Sequence, residues 1–236
     1  MNSNIVASES KSIPLYEASG IPQWKRPLDL CLLLLLLPAI VLFFVAIAIL
    51  IKLVSRGPVF FTQERVGLNG RKFRLFKFRT MHPNANAGVH AAHVAAMIKG
   101  GTEVMRKLDS SGDKRMIPFG RHLRASGLDE LPQLINVLKG EMSIVGPRPC
   151  TTYEYDMYEP RHRQRCNALP GLTGLWQVSG KNRTTFEQMI DLDIQYANNP
   201  SLSQDIRIIA LTFPTLMGQV AEHVSLPAPS VPQTVK

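Results

Sequence analysis

From Cys31 to Ile51 the chain runs through Leu-, Ile-, Val- and Phe-rich sequence without one charged residue. At about 1.5 Å per helical residue, such a run can cross a hydrocarbon core of roughly 30 Å. Lys25, Arg26 and Asp29 lie just before it and Lys52 and Arg56 just after, with Arg65, Arg71 and Lys72 further on. Basic residues on both flanks leave a crossing helix without an orientation. Pro38 stands inside the run, where it removes one backbone hydrogen bond and favours a kink. A helix bent at Pro38 that enters and leaves by the same cytoplasmic face satisfies both observations. A straight bitopic span is the alternative, because membrane helices tolerate proline.

The remaining length, in a chain of 236 residues, allows one sizeable domain with appendages. Residues 1–23 form a polar leader without helical period, 24–56 the membrane helix, 57–217 the main domain and 218–236 a tail expected to be disordered. A formal charge of +9 calls for an anionic partner, whether nucleic acid, a lipid surface or a phosphorylated small molecule. Cys31, Cys150 and Cys166 show no CxxC spacing, which argues against a disulfide framework or zinc site and fits a reducing, cytosolic setting.

Within the main domain, the segment from Ser126 to Lys139 carries the most chemistry. Leu131, Leu134, Ile135 and Leu138 fall at the i, i+3, i+4, i+7 positions of one buried helix face, with Asp129, Gln133 and Asn136 opposite. Two adjacent carboxylates, Asp129 and Glu130, thus sit in a first turn, where free backbone N–H groups favour negative charge. A plain capping role, with Ser126 answered by Asp129, explains the acids alone. It does not explain Arg121 and Arg124 upstream and Gly146-Pro147-Arg148-Pro149 downstream. Cations gathered around paired acids suggest a phosphate and metal site.

Pro58 to Thr80 reads as a hairpin about Asn69-Gly70, with Arg74, Lys77 and Arg79 offering cations beside the membrane or to anionic headgroups. A short helix is expected from about Ala91 to Ile98, and His82, His90 and His93 lack the convergent acids or thiolates that would specify a metal. A polar helix from Tyr153 to Arg165 reads as solvated on its Arg161, Arg163 and Arg165 face. The loop Leu169 to Arg183 presents Trp176, Lys181 and Arg183. A helix over Thr184 to Ala197 is capped by Thr184 or Thr185, with Glu187 near. The last helix, Leu202 to Met217, places Ile206, Ile209, Ala210, Phe213 and Met217 on one side, to pack on the core or lie in the membrane interface.

Taken together, Lys25-Arg26-Pro27-Leu28-Asp29, Gly57-Pro58-Val59-Phe60-Phe61, Lys77-Phe78-Arg79-Thr80-Met81, Asp129-Glu130-Leu131-Pro132-Gln133-Leu134, Ser143-Ile144-Val145-Gly146-Pro147-Arg148-Pro149 and Pro170-Gly171-Leu172-Thr173-Gly174-Leu175-Trp176-Gln177-Val178 resemble the bacterial sugar transferases. These are the monotopic phosphoglycosyl transferases that start exopolysaccharide and O-antigen assembly. The resemblance implies an α+β fold, a mostly helical cytosolic catalytic domain with a small β-hairpin, anchored in the bacterial inner membrane by a re-entrant helix.

It also implies transfer of a sugar phosphate from a UDP-sugar to undecaprenyl phosphate, among membrane lipids and without nucleic acid. Asp129 is then the nucleophile and Glu130 the Mg2+ ligand, with Lys77, Arg79, Arg124, Arg148 and Lys181 binding substrate. The Leu175 to Gly180 form looks like members that transfer a hexose phosphate, so UDP-glucose or UDP-galactose is the expected donor. A homo-oligomer is compatible with all of this. Two positions depart from the family pattern: Leu37 where serine commonly precedes the proline, and Lys181 where arginine is common, which keeps the charge but loses the bidentate fork. A glycosyltransferase that releases UDP and a membrane-tethered anion-binding protein are the competing readings.

Overall fold

The computed structural model describes residues 20–82, 95, 97–98, 115–180 and 184–225, the last four by backbone alone. Lys181 and Arg183, His90 and His93, most of the expected 91–98 helix and most of the leader and tail lie outside the described residues. The described architecture is mixed α and β, with one long apolar helix at its N-terminal end.

That helix, α1, is Lys25–Val54 and continues as a helix through Pro38. Its composition is apolar all round, yet one stripe alone meets protein. Leu33, Ile40, Phe44, Ile47 and Ile51 recur at helical spacing and pack on the domain, while Leu34, Leu35, Leu42 and Leu53 are each 70–79% exposed. Both ends of α1 are held by the same domain. At the N-terminal end Lys25 Nζ meets Asp205 Oδ2 at 2.7 Å and Tyr196 OH at 2.8 Å. At the C-terminal end Ile47 and Ile51 enter a cluster with Phe78, Ile117 and Leu123.

The hairpin forms as the sequence indicates. Strand β1 (Phe60–Val66) pairs antiparallel with β2 (Lys72–Phe78), from Phe60 opposite Phe78 to Val66 opposite Lys72. Asn69 and Gly70 adopt positive φ in the turn, the conformation these residue types reach most readily. A short helix α2 (Gly120–Ser126) leads through Gly127, at φ 73°, into a 3-10 turn over Leu128–Gln133 and then α3 (Leu134–Lys139).

The segment from Ser126 onward therefore differs from the expected single helix. Ser126 ends α2, and its hydroxyl donates to Leu123 O at 3.1 Å instead of forming a capping box with Asp129. The buried face differs in part: Leu131 and Leu134 pack against apolar clusters as expected, but Gln133, Asn136 and Val137 are buried and Leu138 is 55% exposed. The reason is the open edge of β2. Asn136 accepts from Phe76 N at 3.2 Å and donates to Arg74 O at 2.8 Å, so its amide completes the ladder where no strand follows.

Two more strands, β3 (Ser143–Val145) and β4 (Cys150–Thr151), flank Gly146-Pro147-Arg148-Pro149; β4 joins the far edge of β1, giving the order β2-β1-β4. The expected polar helix over 153–165 is broken into α4 (Thr152–Met157), α5 (Pro160–Arg163) and a 3-10 turn over Gln164–Asn167, with Pro160 starting the second piece. Arg161 and Arg163 are exposed as expected, but Arg165 is buried.

Strand β5 (Gly171–Thr173) runs parallel to β3. It approaches so closely that a Cβ at Gly146 would collide with Leu169 O, and one at Gly171 with Gly146 N. Helix α6 (Leu175–Val178) turns Trp176 inward, where Nε1 donates to Thr184 Oγ1 at 2.8 Å, so this residue supports the core rather than being presented by a loop. Helix α7 (Phe186–Asn198) begins with a capping box between Thr185 and Gln188, Thr184 being occupied by Trp176. Helix α8 continues past Met217, spanning Leu202–Ser225. It buries Asp205 and Ile208 and leaves Ile206, Phe213 and Met217 exposed.

Candidate active site

Asp129 and Glu130 lie in the 3-10 turn that packs against β2. The left-handed residue Gly127 turns the chain between α2 and this segment, and Glu130 N donates back to Gly127 O at 3.0 Å. The two acids face different surroundings. Asp129 is 7% exposed, whereas the Glu130 side chain is 23% exposed and bonded to cations. Lys77 Nζ, from β2, lies 2.7 Å from Glu130 Oε1, and Arg148 Nη1, from the Pro147–Pro149 segment, lies 3.6 Å from the same oxygen.

Burial pushes the Asp129 carboxyl above the usual carboxylate range; the Lys77 charge opposes this, Glu130 adds to it, and Arg124 and Arg148 oppose it further. The outcome is a carboxylate in a site short of water, held beside three positive groups. Its sign gives a testable consequence. A raised pKa keeps part of Asp129 protonated at pH values where a free carboxyl is ionised, so a reaction needing the anion loses rate as the pH falls. Lys77→Met removes the largest opposing charge. The acid limb of the pH–rate profile is expected to move to higher pH in that variant, and an unmoved limb would separate the limb from Asp129.

The structure thus gathers Lys77, Arg124 and Arg148 around Asp129 and Glu130, and it places Arg79 elsewhere. Arg79 is buried where α1 ends: Nε donates to Pro58 O at 2.6 Å, Nη1 to Ser55 Oγ at 3.2 Å and Nη2 to Ser55 O at 3.1 Å. Its guanidinium ties down the Ser55–Pro58 turn that follows α1, a use that alternation along β2 cannot reveal. Lys181 lies outside the described residues. Arg65 and Arg165, which the motifs do not single out, are buried and donate to the carbonyls of Pro149 and Arg148.

The donor set can be set against a divalent cation. Among the described residues no three His, Cys, Asp or Glu side chains gather into a metal cluster. Magnesium seldom needs one, being held commonly by one or two carboxylates together with substrate phosphates. Adjacent acids, one of them partly exposed, fit that mode, although Glu130, the ligand expected from the sequence, is engaged here by Lys77 and Arg148.

The model of the family described as bacterial sugar transferase matches residues 21–219. The galactosyl transferase CpsE of Streptococcus agalactiae is 44% identical over 162 residues, 68% of this chain but 35% of its own length. The exopolysaccharide production protein ExoY of Sinorhizobium fredii is 37% identical over 195 residues, 81% of this chain and 84% of its own. A protein of Caulobacter vibrioides named UDP-glucose:undecaprenyl-phosphate glucose-1-phosphate transferase is 40% identical over 201 residues, 82% of this chain and 69% of its own. The family match runs from just before α1 into α8 and so takes in the apolar helix, the paired acids and their cations: this chain belongs to the bacterial sugar transferase family.

Proposed function

We propose that the protein transfers a hexose 1-phosphate from a UDP-sugar, UDP-glucose or UDP-galactose, to undecaprenyl phosphate, releasing UMP. The observation that carries this reading is the pair Asp129–Glu130, one acid buried and one reachable, beside Lys77, Arg124 and Arg148 at the foot of an apolar helix. The names of the Caulobacter relative and of a UDP-galactose-lipid carrier transferase from Erwinia amylovora, 40% identical over 194 residues, support the substrate class.

In the first step an Asp129 carboxylate oxygen attacks the sugar-bearing phosphorus. The bond to the bridging oxygen breaks and UMP leaves with its electron pair, so the enzyme holds the sugar phosphate as an acyl phosphate. In the second step a phosphate oxygen of the lipid attacks the same phosphorus and frees Asp129, giving a lipid diphosphate sugar. Burial strips Asp129 of water that would hydrolyse the acyl phosphate. Lys77, Arg124 and Arg148 offset the charge of the incoming diphosphate, which otherwise repels a carboxylate. Glu130 would hold Mg2+ with the donor, and the ion's contribution there is to neutralise diphosphate oxygens.

The released nucleotide tests this reading. Protein in lipid nanodiscs with UDP-hexose, Mg2+ and undecaprenyl phosphate is expected to give UMP; UDP as product would mean that only the sugar moved.

The path of α1 follows the same reading. The helix is unbroken at Pro38, where the sequence leads one to expect a bend. A helix crossing the bilayer carries its ends to opposite sides, yet Lys25 and Ile51 both contact one domain. This supports a re-entrant anchor, with the active site on the cytoplasmic face of the inner membrane, where UDP-sugars are available. With the native cysteines replaced, Ser10→Cys and Ser225→Cys are expected to react with an impermeant maleimide from the same side. Labelling from opposite sides would restore a bitopic helix.

A further inference from the structure

Arg148 stands between two prolines, and each carbonyl of that tripeptide is held. Pro147 O accepts from Gly171 N at 2.8 Å, Arg148 O from Arg165 Nη2 at 3.0 Å, and Pro149 O from Arg65 Nη1 at 3.0 Å. The two arginines come from unrelated parts of the fold, β1 and the 3-10 turn after α5, and both are buried. Each is fixed in turn. Arg165 pairs with buried Asp193 of α7, and its Nη1 donates to Tyr158 OH at 2.7 Å. Arg65 donates through Nε and Nη2 to Gln63 Oε1 at 3.2 and 2.8 Å, with Glu154 Oε2 at 3.9 Å.

Burying two guanidiniums is costly, and well-packed apolar residues would serve stability as well or better. Only a planar fork, however, can hold a carbonyl on one amino group while other nitrogens reach a partner fixed elsewhere. With its backbone pinned, Arg148 has little left to order when it meets an anion, its side chain alone remaining one-third exposed beside Glu130.

We propose that Arg65 and Arg165, the latter fixed by Asp193 and Tyr158, are positioning residues that aim Arg148 at the donor diphosphate. The inference rests on the assignment of Arg148 to that diphosphate in the transfer reaction above. Arg165→Lys and Arg65→Lys keep the charge and lose the fork. Each is expected to weaken UDP binding, measured calorimetrically on the protein in nanodiscs, and to raise KM for UDP-hexose, by roughly the tenfold that loss of one charge-assisted contact implies.

The decisive comparison is made in the Arg148→Ala background. There neither lysine variant is expected to lower UDP affinity further by more than about twofold, because residues acting through one partner are not additive. Full additivity would mean that these arginines support the fold generally, and unchanged UDP binding in the single variants would overturn the inference directly. Tyr158→Phe, which removes one hydroxyl and no volume, gives the same non-additive pattern at smaller size should a lysine variant fold poorly. UDP binding that depends on Arg148 without any UMP release would instead remove the transfer reading and leave the clamp standing. UDP binding that ignores Arg148 would remove the clamp.

Discussion

Asp129→Asn is expected to reduce UMP release by at least roughly a thousandfold, the scale on which enzymes lose rate with their nucleophile. The amide matches the carboxylate in shape and still accepts hydrogen bonds, but its oxygen is too weak a nucleophile to displace UMP. Folding should be nearly unaffected. Asn removes a carboxyl whose ionised form is penalised by burial, while Lys77 and Arg148 still have Glu130 to answer them. Steady-state UMP release, together with a thermal midpoint within a few degrees of the parent, separates this prediction from a folding defect. Residual activity within tenfold of the parent would place the nucleophile elsewhere.

The largest stability effect is expected at the N-terminal end of α1. Lys25 and Asp205 are 2% and 1% exposed, joined at 2.7 Å, and Tyr196 OH donates to Asp205 Oδ1 at 2.7 Å while its own oxygen accepts from Lys25. Removing one partner from such a pair leaves an uncompensated buried charge, at a cost of about 3–5 kcal/mol. Asp205→Ala should therefore lower the denaturation midpoint sharply. Lys25→Met with Asp205→Leu should recover most of that loss, because the charge and its partner depart together. A double variant as unstable as the single one would show that packing, and not charge, holds α1 to α8.

Much of this architecture is legible in the residues. Asn69-Gly70 between aromatic strands fixes a hairpin, Cys31 to Ile51 fixes an apolar helix, and the threonines at 184 and 185 mark a helix start, because each depends on neighbours in sequence, though the capping partner proves to be Gln188 and not the nearby Glu187. Contacts made across the chain are not legible in this way. Leu131, Leu134, Ile135 and Leu138 form a regular apolar stripe, and Leu131 and Leu134 do pack on the core, yet the buried positions of that segment include Gln133, Asn136 and Val137 while Leu138 is exposed. The unpaired edge of β2 requires an amide, and no local pattern records the edge. Arg165 sits in a run of alternating arginines, and only its partners, Asp193 and Arg148 O, distinguish it from exposed Arg161 and Arg163. The same holds at the site. Asp129, Glu130, Lys77, Arg124 and Arg148 come together as their motifs suggest, whereas Arg79 is drawn to the end of α1 by carbonyls that only the folded chain brings to it.

The most direct measurement is the intact mass of the protein after exposure to UDP-hexose and Mg2+ with no lipid acceptor. The two-step account predicts a gain of one hexose phosphate, located by peptide mapping on Asp129, lost on adding undecaprenyl phosphate and missing from Asp129→Asn. UMP release in step with lipid product, with no adduct at any time in a rapidly quenched reaction, would contradict it and require direct attack by the lipid phosphate.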